Sequence, residues 1–77
     1  MPGWAVLLHN DDVNEFLFVA RSVVEFARLA LDDAMQRTVE AHESGVALLL
    51  VTHRERAELI QEQFQSRGLT VTIEPAA

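Results

Sequence analysis

The chain has no cysteine, no lysine, three glycines and two prolines among its 77 residues. Without cysteine it can build neither a disulfide framework nor a thiolate nucleophile. So small a core must hold without covalent staples, which fits a reducing compartment and makes the cytoplasm the expected location. Without lysine there is no side-chain amine for Schiff-base chemistry. The 6 basic residues are all arginine and face 12 acidic ones, a formal charge of −6. Phosphate would be repelled, and the electrostatic term that supplies most nucleic-acid affinity would oppose binding. Long apolar runs are also missing. The longest, Val46 to Val51, falls far short of the roughly 20 residues of a membrane-spanning helix and reads as a buried strand. Met1, Pro2, Gly3 and Trp4 supply no basic region ahead of an apolar stretch, so no targeting leader is expected. Neither nucleic acid nor a membrane is an expected partner.

What is present describes a globular domain. Hydrophobic residues make up 49% of the chain and charged ones 23%, away from the high-charge, low-hydrophobicity signature of disorder. A chain of this length buries only about 60% of the surface it would expose unfolded. Residues 1–77 are therefore expected to form a single domain.

Trp4 to His9 reads as a strand, stopped by the turn-forming run Asn10, Asp11, Asp12. Asn14 then fits an N-cap with Glu15 in the first turn, and Phe16, Val19, Val23, Phe26 and Ala30 form the apolar face of a first helix. Arg21, Glu25 and Arg28 share its solvated side, with Arg21 and Glu25 spaced for a weak ion pair. A second helix is expected from about Asp32 and Asp33 to Gly45, with Ala34, Met35, Thr38, Ala41 and His42 on one side. After the strand Val46 to Thr52, a third helix spans Arg54 to Arg67. Ala57, Ile60 and Phe64 face inward, and Gly68 closes it. Leu69 to Glu74 alternates apolar and polar residues as a half-buried strand, and Pro75 to Ala77 reads as a frayed end. The expected fold class is α+β: a two-layer domain in the order β-α-α-β-α-β, with a three-stranded antiparallel sheet packed against three helices.

Chemistry-bearing residues are few. Asn10, Asp11, Asp12 and Asn14 concentrate acceptors where a strand breaks into a helix, which fits plain turn formation first and a cation site as the alternative. His42 lies in the last turn of the second helix, where it can interact with the helix dipole or serve a site. No two histidines have ligand spacing on one helix, and the acidic cluster lacks the donor pattern and central glycine of a calcium loop, so no metal and no cofactor is expected. Ser22, Ser44 and Ser66 lack a nucleophile elbow, and no glycine-rich phosphate loop is present. Catalysis is not expected.

An ordered set of motifs adds to this reading. It comprises Leu7-Leu8-His9-Asn10-Asp11-Asp12-Val13-Asn14, Ala41-His42-Glu43-Ser44-Gly45, Ala57-Glu58, Gly68-Leu69-Thr70 and Thr72-Ile73-Glu74-Pro75. Together these resemble the ClpS adaptor family from about Trp4 to Ala76. The resemblance implies a protein that binds polypeptides with a bulky hydrophobic first residue (Phe, Tyr, Trp or Leu) and delivers them to a Clp-type AAA+ unfoldase. It implies that Asn10, Asp11 and His42 hold the substrate's α-amino group and that Asn14 contacts its first backbone groups. It places Phe16, Thr38, Ala41 and Leu69 around the side-chain cavity, with Val13 and Val19 nearby, and Glu55 at the unfoldase-facing surface.

The physics of such a site is straightforward. A carboxylate and two neutral acceptors satisfy the three hydrogens of an ammonium, each charge-assisted bond being worth roughly 1.5–3 kcal/mol. Burying the first side chain adds about 1.5–3 kcal/mol, and an association cost of roughly 4–15 kcal/mol leaves micromolar affinity. The apolar residues would look the same if they were only core. Three departures from the family pattern stand out. Thr38 and Ala41 replace larger apolar side chains, which should leave more room for Trp, Tyr or Phe, whereas Phe16 replaces a frequent methionine and should restrict β-branched residues at the entrance. Ile60 stands where a basic residue is common. The first strand begins almost at Met1, where relatives carry an extension that the unfoldase engages. Two alternatives follow: a binder of N-terminal residues without delivery, and a docking module of similar fold, such as a ribosomal-stalk-like domain.

Overall fold

The computed structural model describes residues 2–76. The element order is β1 (Gly3–His9), α1 (Phe16–Ser22), a π-helical turn (Val23–Ala27), α2 (Leu31–Ser44), β2 (Val46–Thr52), α3 (Arg54–Ser66) and β3 (Val71–Ala76). The sheet is antiparallel throughout and has the order β2-β1-β3, so the first strand lies in the centre. Its inward residues Val6 and Leu8 are almost fully buried, as a central strand covered on one face by helices requires. Ala34 and Ala41 of α2, Ala57, Ile60 and Phe64 of α3, and Val19 and Val23 complete the core. The order, the α+β class and the antiparallel sheet agree with the expectation from sequence.

The apolar run in β2 is an edge strand that alternates. Ala47 and Leu49 are buried, whereas Val46, Leu48 and Val51 are exposed on the other side. Hydropathy alone could not show this, because the outward residues are as apolar as the inward ones. The last strand is displaced along the chain from the expected Leu69–Glu74. Leu69 N–H donates to the Phe64 carbonyl (3.0 Å), and Gly68 adopts φ 74°, so residues 69 and 70 belong to the turn after α3. Pro75 and Ala76 are paired rather than frayed, opposite Trp4 and Gly3. Proline is tolerated there because β3 is an edge strand. Ala77 lies outside the described residues.

The first helix changes character halfway. Ser22 is fully buried, and its hydroxyl donates back to the Phe18 carbonyl (2.9 Å), a contact that bends helices. Arg67 reaches the same hydroxyl (3.1 Å), lies 4.3 Å over the Phe26 ring and forms an ion pair with Glu25. From Val23 onward the turn is π-helical, and Arg28 leaves it at φ 63°. The expected Arg21–Glu25 pair is therefore replaced by one between Glu25 and Arg67, and Ala30 caps α2 instead of continuing α1. This clamp ties the π turn to the C-terminal end of α3.

α2 ends where expected. Gly45 adopts φ 92° and its N–H closes onto the Ala41 carbonyl (2.8 Å), with nothing within 4 Å of the place a Cβ would occupy. The cost of a side chain there is conformational only. Gly45→Ala should lower stability by about 1–2 kcal/mol, a fall in Tm of about 4–8 °C per kcal/mol for a domain of this size. Thermal denaturation followed by circular dichroism checks this, and an unchanged Tm would contradict the left-handed cap.

Candidate functional site

The turn after β1 is pinned from both sides. His9 N–H donates to the Thr70 carbonyl (3.1 Å) and Asn10 N–H to the Gly45 carbonyl (3.0 Å). The end of the central strand is thereby held between the entrance to β3 and the C-terminus of α2. The same tethers bring Asn10 next to His42, 32 positions away in sequence.

Within the turn, Asp11 is the organising residue. One carboxylate oxygen, Oδ1, accepts the backbone N–H groups of Val13 and Asn14, each at 2.9 Å, and Oδ2 accepts the Asn14 side-chain amide at 2.6 Å. Burial alone would push the carboxyl pKa up, but the bonds from Asn14 backbone, Asn14 side chain and Val13 backbone together hold it below the ordinary value of 3.8. Asp11 is therefore an anion with one Oδ2 lone pair left to give. Asn14 does not cap α1 as its position suggested. Glu15 occupies the cap without a side-chain bond, while the Asn14 amide also reaches the Gly68 carbonyl (3.4 Å). The reason is that Asp11 already takes the backbone N–H groups of the turn, which frees Asn14 to brace the carboxylate.

Asn10 and His42 complete the polar rim. The Asn10 amide nitrogen donates to Asp12 Oδ1 (3.2 Å), which turns its carbonyl oxygen toward His42 Nδ1 at 3.3 Å. A carbonyl oxygen only accepts, so with the proton on Nδ1 the two groups bond to one another, and with the proton on Nε2 they are two acceptors side by side. In the second tautomer the Asn10 carbonyl oxygen and His42 Nδ1 offer two acceptors side by side, and the Asp11 carboxylate lines the same cavity as a third. That set matches the three hydrogens of a primary ammonium.

Beside this rim lies a cavity of about 310 Å³, at the small end of the range for ligand sites. Its lining includes Asn10, Asp11, Asn14 and His42 on the polar side and Phe16, Val19, Thr38 and Ala41 on the other. The space exists because α2 presents only a threonine and an alanine there, both buried. Phe16 is 39% exposed at the mouth.

Two residues expected at the cavity stand apart from it. Val13 is 92% exposed, because its N–H turns inward to Asp11 and sends the side chain outward. Leu69 is 2% exposed and belongs to the core. Leu8, His9 and Asp12 line the cavity without having been singled out for it. Leu8 could have been found from its two-residue spacing to Val6 on the inward face of β1.

Glu55 is exposed in the first turn of α3, whose cap is the His53 side chain accepting the Arg56 N–H (3.2 Å). Ile60, on the same helix, is 1% exposed and takes no part in the surface. Among the described residues, no three His, Cys, Asp or Glu side chains converge as a metal site, and no helix is long and apolar enough to cross a membrane.

Comparison with known proteins agrees with this architecture. The family model described as "ATP-dependent Clp protease adaptor protein ClpS" matches residues 1–72. The ATP-dependent Clp protease adapter protein ClpS of Synechococcus sp. (strain CC9902) is 43% identical over 75 residues, which cover 96% of this chain and 72% of that protein. The chloroplastic adapter CLPS1 of Chlamydomonas reinhardtii is 40% identical over 75 residues, 96% of this chain but 46% of that longer protein. The structure of Agrobacterium tumefaciens ClpS2 bound to L-phenylalaninamide superposes with a TM-score of 0.88 at 28% identity, covering 97% of this chain and 98% of that one. The chain belongs to the ClpS family of Clp protease adapters, which bind and are not catalytic enzymes.

Proposed function

We propose that this chain is an N-degron adaptor. Asn10, Asp11 and His42 hold the free α-amino group of a substrate protein, and Asn14 contacts its first backbone groups. The cavity between β1 and α2 takes a bulky hydrophobic first side chain (Phe, Tyr, Trp or Leu), and the substrate passes to a Clp-type AAA+ unfoldase in the cytoplasm, with Glu55 at that contact. The observation that carries this reading is the meeting of three acceptors, one of them a carboxylate, at the rim of a small apolar cavity. L-phenylalaninamide, bound by the Agrobacterium relative, has the same parts as such a substrate end: a free amine, an aromatic side chain and an amide in place of the following peptide bond.

The test is free-amine dependence. A fluorescent peptide beginning with Phe is titrated against the protein at neutral pH beside its N-acetylated twin, and anisotropy is read. Acetylation removes the charge and two of the three donors, so the twin should show no saturable binding where the free peptide binds at micromolar concentration. Equal binding of both would mean that the cavity serves a docking module indifferent to the amine.

A further inference from the structure

One polar group in the cavity wall has no part in holding the amine. Thr38 is 6% exposed and lines the cavity together with the apolar Leu8, Phe16, Val19 and Ala41. Its hydroxyl donates to the Ala34 carbonyl one turn earlier, at 2.7 Å. A hydroxyl has one hydrogen and two acceptor lone pairs. The hydrogen is committed to Ala34, and among the described residues no group donates to the oxygen in return. Thr38 thus lines the cavity and its oxygen keeps its acceptor capacity, with no hydrogen left to donate.

The position of this acceptor along α2 matters. Thr38 precedes His42 by four residues, so it lies on the same helix face and roughly 6 Å further along the axis. A first residue whose amine is held at the rim would send the far end of an aromatic side chain toward it. We propose that Thr38 is a specificity-determining residue that favours a first residue carrying a hydrogen-bond donor on its ring, tyrosine or tryptophan, over phenylalanine. This rests on the proposed reading of the site as a holder of N-terminal residues.

Tyrosine and phenylalanine differ by one hydroxyl and make the cleanest comparison. In a wholly apolar cavity the tyrosine hydroxyl would lose its water without gaining a partner, and phenylalanine would bind more tightly. With an acceptor in the wall the hydroxyl is satisfied, and the discrimination is removed or reversed. Thr38→Val replaces the hydroxyl by a methyl group of similar size, keeping the shape of the wall and deleting the acceptor along with its bond to the Ala34 carbonyl.

Anisotropy titrations of Phe- and Tyr-initiated peptides of otherwise identical sequence are compared for the unaltered protein, Thr38→Val and Thr38→Ser. The ratio of Tyr to Phe affinity should fall about fivefold or more in Thr38→Val. The ratio cancels any change common to both peptides, and Thr38→Ser, which keeps the oxygen, should restore it. An unchanged ratio in Thr38→Val with Phe binding intact would overturn the role of Thr38 and leave the amine site standing. Failure of the unaltered protein to bind either peptide would overturn the reading of the site itself, and the inference with it. Phe binding in Thr38→Val serves at the same time as proof that the variant is folded.

Discussion

Asp11→Ala should weaken binding of a Phe-initiated peptide about 10- to 150-fold, the equivalent of one charge-assisted hydrogen bond at roughly 1.5–3 kcal/mol. The carboxylate supplies the only formal negative charge among the three proposed amine acceptors, and the neighbouring Asp12 carboxylate in the cavity lining is engaged by the Asn10 amide. Asp11 also accepts three hydrogen bonds from its own turn, and part of the loss will come from a loosened loop. Asp11→Asn separates the two. Its remaining carbonyl oxygen can still accept from Val13 and Asn14, while its amide can neither attract the ammonium nor accept from the Asn14 side chain. Equal weakening by both substitutions identifies the charge as the working part, and near-normal binding by Asp11→Asn would mean that the carboxylate only shapes the turn. The same geometry sets the pH dependence. Because its hydrogen bonds lower the carboxyl pKa below 3.8, the turn's contribution to folding is complete above the ordinary carboxylate value and is lost as pH falls through the lowered one. Above about pH 8 the substrate's own amine loses its proton, so affinity should decline on that limb in every variant alike.

The layout of the fold was legible because its signals are local. An apolar stretch stopped by turn-forming residues marks β1, period-two alternation marks β3, three-and-four spacing marks Ala57, Ile60 and Phe64 in α3, and Gly45 and Gly68 close helices where positive φ is needed. What escaped depends on contacts distant in sequence. The π turn follows from Ser22 and its partner Arg67, 45 positions away, and no periodicity within α1 announces it. Asn14 looked like a cap because its neighbours are right for one. Only the three-dimensional turn reveals that Asp11 has taken the backbone N–H groups and that Asn14 braces the carboxylate. The site was legible in an uneven way. The run from Asn10 to Asn14 marks itself by composition, but pairing it with His42 came from the family resemblance, since spacing alone leaves His42 as one more residue near a helix end. The cavity came from a lack of bulk at Thr38 and Ala41. Val13 and Leu69 were placed there by the family resemblance, which does not say which way a side chain points in this chain.

Phe64→Ala should be the most damaging single truncation of the core. Phe64 is fully buried on the inner face of α3, and its ring stands edge-on to Phe26 with centroids 5.4 Å apart and an interplanar angle of 71°. Truncating a buried phenylalanine costs about 3–5 kcal/mol, and the edge-to-face contact contributes about 0.5–1.5 kcal/mol beyond the area it buries. A domain this small has a total stability of only about 4–12 kcal/mol at 0.05–0.15 kcal/mol per residue, so this one change removes about a quarter of it or more. The damage should also reach the binding site. The Phe64 carbonyl accepts the N–H groups of Arg67 and Leu69, and the turn so formed presents the Gly68 carbonyl to which Asn14 is tied. Urea denaturation should show a midpoint lower by about 1–5 M, given a slope of about 1–3 kcal/mol per molar. Leu59→Ala on the outer face of the same helix, where the side chain is 52% exposed, should move it by no more than about 0.5 kcal/mol. Similar shifts for the two variants would mean that α3 does not pack on the sheet through the face that carries Phe64. A large shift for Phe64→Ala alone, with peptide affinity falling even in conditions where the variant remains folded, would link the packing of α3 to the bracing of Asp11.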